Sequence, residues 1–166
     1  LTDDDLAGES IYQPLMPQVI ERLRAGGLLT ESDGADVVFP PGFTNRDGDP
    51  LPLIVQKGAG GFNYATSDLA CVIDRVERLD ADLMLYVVGA PQANHLQMVY
   101  AVCKMAGWLV EPTEAVHVGF GNVLGDEGKM MRSRSGDSVK LADLLDEAVE
   151  RAAEAIAAKN PDLPAE

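Results

Sequence analysis

The run Leu83-Met84-Leu85-Tyr86-Val87-Val88 constrains the fold more than any other stretch of this chain. A continuous apolar run of this length, set between two helical patterns, is how a strand buried on both faces of a parallel sheet reads. Before it, Leu69, Val72, Ile73, Val76 and Leu79 follow the i, i+3, i+4, i+7 stripe of an amphipathic helix. Residues 92–106 are helical again. Residues 115–124 form a strand pattern with glycines at 119 and 121, and residues 139–157 place Leu141, Leu144, Leu145, Ala148, Ala152 and Ile156 on one helical face. With a further strand expected over residues 62–65, capped into its helix by Thr66 or Ser67, the order from residue 62 onward is strand and helix in alternation. That is the pattern of an α/β fold, a parallel sheet with flanking helices.

Residues before 60 read differently. Ile11, Leu15, Val19, Ile20 and Leu23 recur at helical spacing from 9 to 29, and Gly26-Gly27 stops the element. Pro14 and Pro17 fall in its first turns and push the true start later than Glu9. Short strands are expected over 37–39 and 53–56, with a turn-rich loop between them. The chain therefore divides into residues 1–60, a small helix and β insertion; 61–158, the α/β part; and 159–166, a tail. It begins without Met, and both ends read as cut from something longer.

Charge excludes some functions. The 27 acidic residues against 13 basic ones give a net charge of −14. A stand-alone nucleic-acid binder must neutralise phosphates with Lys and Arg, so no DNA partner is expected. Lys129, Arg132, Arg134 and Lys140 still cluster locally in this acidic background. No apolar run approaches the roughly 20 residues of a membrane span, and no signal peptide is visible. Cys71 and Cys103 each sit in a predicted helix with no ligand cluster around them, which reads as two buried free thiols and no metal site. A cytoplasmic, monomeric protein is expected.

In a parallel sheet, ligands bind beyond the carboxyl ends of the strands. Three such ends can be placed. The first carries Tyr64 and Asp68, a phenol and a carboxylate four residues apart. Asp accepts the fork of a guanidinium in a bidentate, charge-assisted pair, so this end suits a cationic small ligand. The second follows Val88 and carries Gln92 and His95. The third leads into Lys129-Met130-Met131-Arg132-Ser133-Arg134-Ser135-Gly136, a polar, basic loop. Read alone, Asp68 is equally a helix N-terminal acid favoured by the dipole, Tyr64 a strand aromatic, and Gln92 and His95 the first turn of a helix.

These segments, in order and at these spacings, resemble the middle of an arginyl-tRNA synthetase, a class I enzyme. The resemblance runs from Leu1-Thr2-Asp3-Asp4-Asp5 and Gly8-Glu9-Ser10 to Lys159-Asn160-Pro161. It is sharpest at Tyr64-Ala65-Thr66-Ser67-Asp68, at Tyr86-Val87-Val88 with Gln92 and His95, at His117-Val118 with Gly121, and at Arg134-Ser135-Gly136 followed by Leu141-Ala142-Asp143-Leu144-Leu145. It implies the second half of a class I, Rossmann-like nucleotide-binding fold. It also implies ATP-dependent activation of L-arginine and transfer to tRNA(Arg), with Mg²⁺ accompanying the ATP. Tyr64, Asp68 and Gln92 match the residues that hold arginine. His95, Gly119, Phe120, Gly121 and Ser133 fall on the ATP side.

The basic loop resembles the second class I signature, Lys-Met-Ser-Lys-Ser. Two registers are open, Lys129-Met130-Met131-Arg132-Ser133 and Met131-Arg132-Ser133-Arg134-Ser135. The second fits the degenerate arginyl form ending in Arg-Ser-Gly, so Arg134 is the expected catalytic cation, with Lys129 and Arg132 beside it. Such cations stabilise charge that grows on a departing pyrophosphate. His117-Val118-Gly119-Phe120 imitates the first signature, His-Ile-Gly-His, but lacks its second histidine. The genuine first signature, the amino-terminal tRNA-contacting domain and the anticodon-binding domain are not in these 166 residues, so the isolated chain is expected not to aminoacylate. Gly58-Ala59 and Phe62 depart from the family's usual Ser-Asp and Tyr. Two other readings stay open: a truncated paralogue that binds arginine or nucleotide without catalysis, and a nucleotide-binding domain unrelated to tRNA.

Overall fold

In the computed structural model, residues 2, 6–121 and 140–160 are described. Residues up to 121 form one compact unit, and the helix at 141–159 belongs to a second.

The first unit opens with a 3₁₀ turn, Glu9–Leu15, that runs into helix α1, Met16–Ala25. The expected single helix is split because Pro14 lies inside the turn and Pro17 occupies the first turn of α1, where a missing amide costs little. Val19, Ile20 and Leu23 bury the inner face of α1.

Three short strands follow: β1, Thr30–Ser32; β2, Ala35–Val38; and β3, Leu53–Gln56. They form an antiparallel sheet in the order β1-β2-β3. Strand β1 was not legible in the sequence, since Thr30, Glu31 and Ser32 carry no apolar alternation. The turn from β3 onward passes close to the β1–β2 turn. A Cβ on Gly58 would lie 2.1 Å from the Gly34 carbonyl oxygen, so only glycine fits there.

Helix α2 spans Tyr64–Glu77. The strand expected over residues 62–65 is reduced to one antiparallel bridge between Phe62 and Gln56. Asn63 ends it. Its backbone is extended, and its side chain accepts hydrogen bonds from the amides of Ala65 and Thr66, which starts the helix three or four residues earlier than a cap at Thr66 or Ser67 would. Leu69, Ala70 and Val72 are fully buried.

Strand β4, Leu83–Gly89, then a 3₁₀ turn, Ala90–Gln92, helix α3, Ala93–Met105, and strand β5, Glu114–Phe120, make a β-α-β unit. Strands β4 and β5 are parallel and in continuous register from Leu83 opposite Glu114 to Gly89 opposite Phe120. The expectation of a strand buried on both faces is corrected here. Met84 and Tyr86 are buried, whereas Leu83, Leu85 and Val87 are exposed, so β4 covers its core on one side only. Nor is there one continuous parallel sheet among the described residues: the architecture is mixed α/β, with an antiparallel three-stranded sheet and a parallel pair. One core joins them, with α1 and α2 supplying Leu23 and Leu69, α3 supplying Val99 and Val102, and β2 to β4 supplying Val38, Val55 and Met84.

The second unit's helix α4, Leu141–Lys159, matches the helix expected over 139–157. Among the described residues no helix is long and apolar enough to cross a membrane.

Candidate functional site

The site is built on the first turns of α2 and α3. Three side chains fix the start of α2. The Asn63 amide nitrogen donates to the Ile54 carbonyl at 2.9 Å, and the Thr66 hydroxyl donates to the Val55 carbonyl, so both are pinned to β3. The Ser67 hydroxyl lies 2.7 Å from Glu9 Oε1 and 2.9 Å from the Tyr64 carbonyl, which ties the same turn to the amino-terminal 3₁₀ turn. Thr66 and Ser67 are the buried polar residues of this core, and each is satisfied.

Tyr64 and Asp68 stand outward from that anchored turn. Tyr64 is 64% exposed, an unusual position for a large aromatic that begins a helix. Asp68 is the fifth residue of α2, past the first turn, where the helix dipole has faded. Its carboxylate is therefore not explained as a dipole partner. His95, in the first turn of α3, places Nε2 2.6 Å from Asp68 Oδ2, and its ring meets the Tyr64 ring edge-on with centroids 4.7 Å apart. The structure thus brings Tyr64, Asp68 and His95 together. Gln92 sits exposed in the 3₁₀ turn that enters α3, with no contact tying it to that trio.

Asp68 acts electrostatically on Cys71 and Tyr100, two of a group of buried phenols and thiols that also holds the Arg75 guanidinium. Tyr12 is buried, and burial together with its contact to Cys71 pushes its phenol up to about 12. Burial also raises Cys71 and Tyr100, the latter to about 12, and the Asp68 carboxylate adds to both shifts. The Arg75 guanidinium lies 4.9 Å over the Tyr86 ring. The hydroxyls of Tyr86 and Tyr100 are buried with no hydrogen-bond partner among the described residues.

Beside Tyr64 opens a cavity of about 530 Å³ lined by Glu9, Gln13, Met16, Phe62 and Asn63. That volume lies within the range of small-ligand sites. Asn63 and Glu9 were not singled out from sequence. Asn63 had a signal, a capping residue just ahead of an apolar helical stripe. Glu9 had none, because its partner Ser67 lies 58 residues away.

At the carboxyl ends of β4 and β5, His117 Nε2 donates to the Val88 carbonyl over 3.1 Å. A Cβ on Gly119 would come within 3.2 Å of that ring and 3.5 Å of the Ala90 backbone, so a side chain there requires the imidazole to shift by a few tenths of an ångström. Gly121 has open space around it, and Phe120 is exposed. Lys129, Arg132, Ser133 and Arg134 lie outside the described residues, and both registers of the basic loop stay open. No group of three or more His, Cys, Asp or Glu residues is placed to hold a metal ion among the described residues.

All 166 residues match the family described as tRNA synthetases class I (R), catalytic domain. The chain belongs to the class I arginyl-tRNA synthetase catalytic-domain family. It is 54% identical over its whole length to the arginine–tRNA ligase of Thermobifida fusca, of which it covers 29%. Over 87% of its length it is 54% identical to the arginine–tRNA ligase of a Nostoc species, covering 25% of that protein. Among solved structures, it resembles the arginyl-tRNA synthetase of Plasmodium falciparum with a TM-score of 0.69 and 29% identity, over 92% of this chain and 24% of that one. The Thermus thermophilus arginyl-tRNA synthetase shares the fold, with a TM-score of 0.62 over 93% of this chain and 31% of that one, at 22% identity. The segment thus spans under a third of the length of these synthetases and forms part of an arginyl catalytic domain.

Proposed function

We propose that this chain supplies the arginine half-site, and part of the nucleotide site, of an enzyme that activates L-arginine with ATP and transfers it to tRNA(Arg). The observation that carries this reading is the partly exposed Asp68 carboxylate, set on an anchored helix turn, bonded to His95 and flanked by the exposed Tyr64 ring. A planar acceptor of fixed orientation suits a guanidinium better than an ammonium, because only the former offers two parallel N–H groups. Tyr64 gives that cation an aromatic wall. Gln92, on the turn before His95, reaches the same ligand.

The carboxylate oxygen of arginine attacks the α-phosphate of ATP, the bond to the β-phosphate breaks, and pyrophosphate leaves with the electron pair. Such a step is carried mainly by positioning and by charge neutralisation. Gly119, Phe120 and Gly121, at the end of β5, and Ser133 belong to the nucleotide side, with His95 at the border of the two halves. Lys129, Arg132 and Arg134 neutralise the departing pyrophosphate. Mg²⁺ enters with the triphosphate and screens its charge. The first class I signature is not in this sequence, so these 166 residues alone do not arginylate tRNA.

The test is arginine-dependent pyrophosphate exchange by the full-length ligase that carries this segment, with tRNA(Arg) present. Asp68→Asn raises the arginine KM at least 100-fold and leaves the ATP KM within a few-fold. An arginine KM unchanged in Asp68→Asn sinks the reading.

A further inference from the structure

We infer that His95 is a positioning residue of the arginine site, one that fixes the Asp68 carboxylate through an Nε2–H···Oδ2 hydrogen bond so that a guanidinium meets an acceptor already oriented for it. The inference rests on the reading that Asp68 receives the guanidinium, and it assigns His95 a task on the arginine side rather than a direct contact with the nucleotide.

Three observations carry it. The contact joins different elements, α2 and α3, across 27 residues, and at 2.6 Å it is slightly shorter than an ordinary N–H···O bond. An ionised carboxylate only accepts, so Nε2 must carry the hydrogen. His95 is the less exposed partner, its side chain 19% accessible against 33% for Asp68, so surrounding atoms confine the imidazole more than the carboxylate it meets. The edge-on Tyr64 ring, with its plane at 64° to the imidazole, closes the histidine's third side.

The consequence for binding is geometric. An aspartate carboxylate turns broadly about its terminal torsion. A bidentate fork needs that plane held, and freezing it in advance removes part of the ordering cost of binding. A carboxylate has about four acceptor positions, so one bond from His95 leaves three for the ligand. His95 also commits Nε2 to this bond, which leaves it a single ring nitrogen for anything else.

The test uses the same full-length ligase. His95→Phe keeps a ring against Tyr64 and loses the donor; it raises the arginine KM about tenfold while the ATP KM moves less than twofold. His95→Gln restores a nitrogen donor at similar reach and recovers most of the loss. In an Asp68→Asn background, His95→Phe adds less than twofold, because residues that act through one another are not additive. Thermal melting checks each variant, and if His95→Phe does not fold, His95→Leu carries the same comparison. An ATP KM that rises while the arginine KM holds overturns the inference, as do effects of the two substitutions that multiply. Either result leaves the Asp68 reading standing, because that reading fails only if Asp68→Asn by itself spares the arginine KM.

Discussion

Asn63 ties the end of β3 to the start of α2, its Nδ2 donating to the Ile54 carbonyl over 2.9 Å while its Oδ1 caps the Ala65 and Thr66 amides. One side chain thus serves the strand before the site and the helix that carries it. Asn63→Ala removes both, strands the Ile54 carbonyl and costs about 2 kcal/mol. Asn63→Asp keeps the cap and loses only the donor, for a cost of about 1 kcal/mol. Urea unfolding of the 166-residue chain measures both. Equal stability of Asn63→Ala and the parent would show that Thr66 holds this junction alone.

A second junction depends on pH. Arg78, the C-cap of α2, forks onto Asp74 with Nε 2.6 Å from Oδ1 and Nη2 2.8 Å from Oδ2. The hydrogen bonds from Arg78 hold the Asp74 carboxyl below its ordinary value, against an opposing contribution from burial. A depressed carboxylate contributes stability above its unfolded pKa of about 3.9 and loses it as pH falls through the folded value. Arg78 is well exposed, so Asp74→Asn costs only about 0.5 kcal/mol at pH 7. Melting temperatures of the pair of proteins therefore differ at pH 7 and converge as pH falls through the lowered folded value. A difference of the same size at every pH would rule out an ionic origin.

How far the sequence could be read depended on whether a signal was local. Helices α3 and α4 lie within two residues of their expected bounds, because their apolar stripes repeat at 3.6 residues through many turns. The Tyr64-to-Asp68 spacing was enough to mark the turn that the site is built on. The pairing of Asp68 with His95 was not legible, since it arises from how α2 packs on α3. Strand β4 misled because its composition, Leu-Met-Leu-Tyr-Val-Val, is that of a strand covered twice, while within this segment only Met84 and Tyr86 are covered. The short strand at 62–65 failed for the opposite reason. Its apolar residues Phe62 and Tyr64 fall on either side of a cap, and capping chemistry outweighs strand propensity at Asn63.

The exposed side of the parallel pair follows from that mismatch. Leu85 and Val87 of β4 are 56% and 63% exposed, and their register partners Val116 and Val118 on β5 are exposed with them. Contiguous apolar patches of this kind mark surfaces that take part in contacts. The 166-residue chain therefore binds an apolar dye such as ANS under native conditions, and Leu85→Thr with Val87→Thr reduces the enhancement severalfold without lowering the helical signal in circular dichroism. Native fluorescence no greater than that of the double variant would show that something already covers the face.

Cys103 and Tyr100 set the behaviour at alkaline pH. Cys103 is fully buried in α3, and burial pushes its thiol up to about 12; burial does the same to the Tyr100 phenol, which also stands at about 12. In the unfolded chain the same groups ionise near 8.5 and 10. For a raised pKa the folded state holds its proton longer, so the stabilising contribution is complete below the unfolded value and is lost as pH rises toward the folded one. Stability of the chain thus holds to about pH 8, declines through pH 9 as unfolded Cys103 ionises, and declines more steeply above pH 10 as unfolded Tyr100 joins it. Cys103→Ala lessens the first decline and leaves the share of Cys71, whose thiol burial also raises, while costing about 1 kcal/mol at pH 7 for the sulfur it deletes. Urea unfolding at pH 7, 9 and 10.5 separates the thiol contribution, Cys71 and Cys103, from that of the phenols, and native Cys103 stays unreactive to a thiol reagent that labels it at once in urea. A stability curve flat from pH 8 to 10.5, or rapid native labelling, would show that α3 opens to solvent at Cys103 far more readily than its complete burial in the core implies.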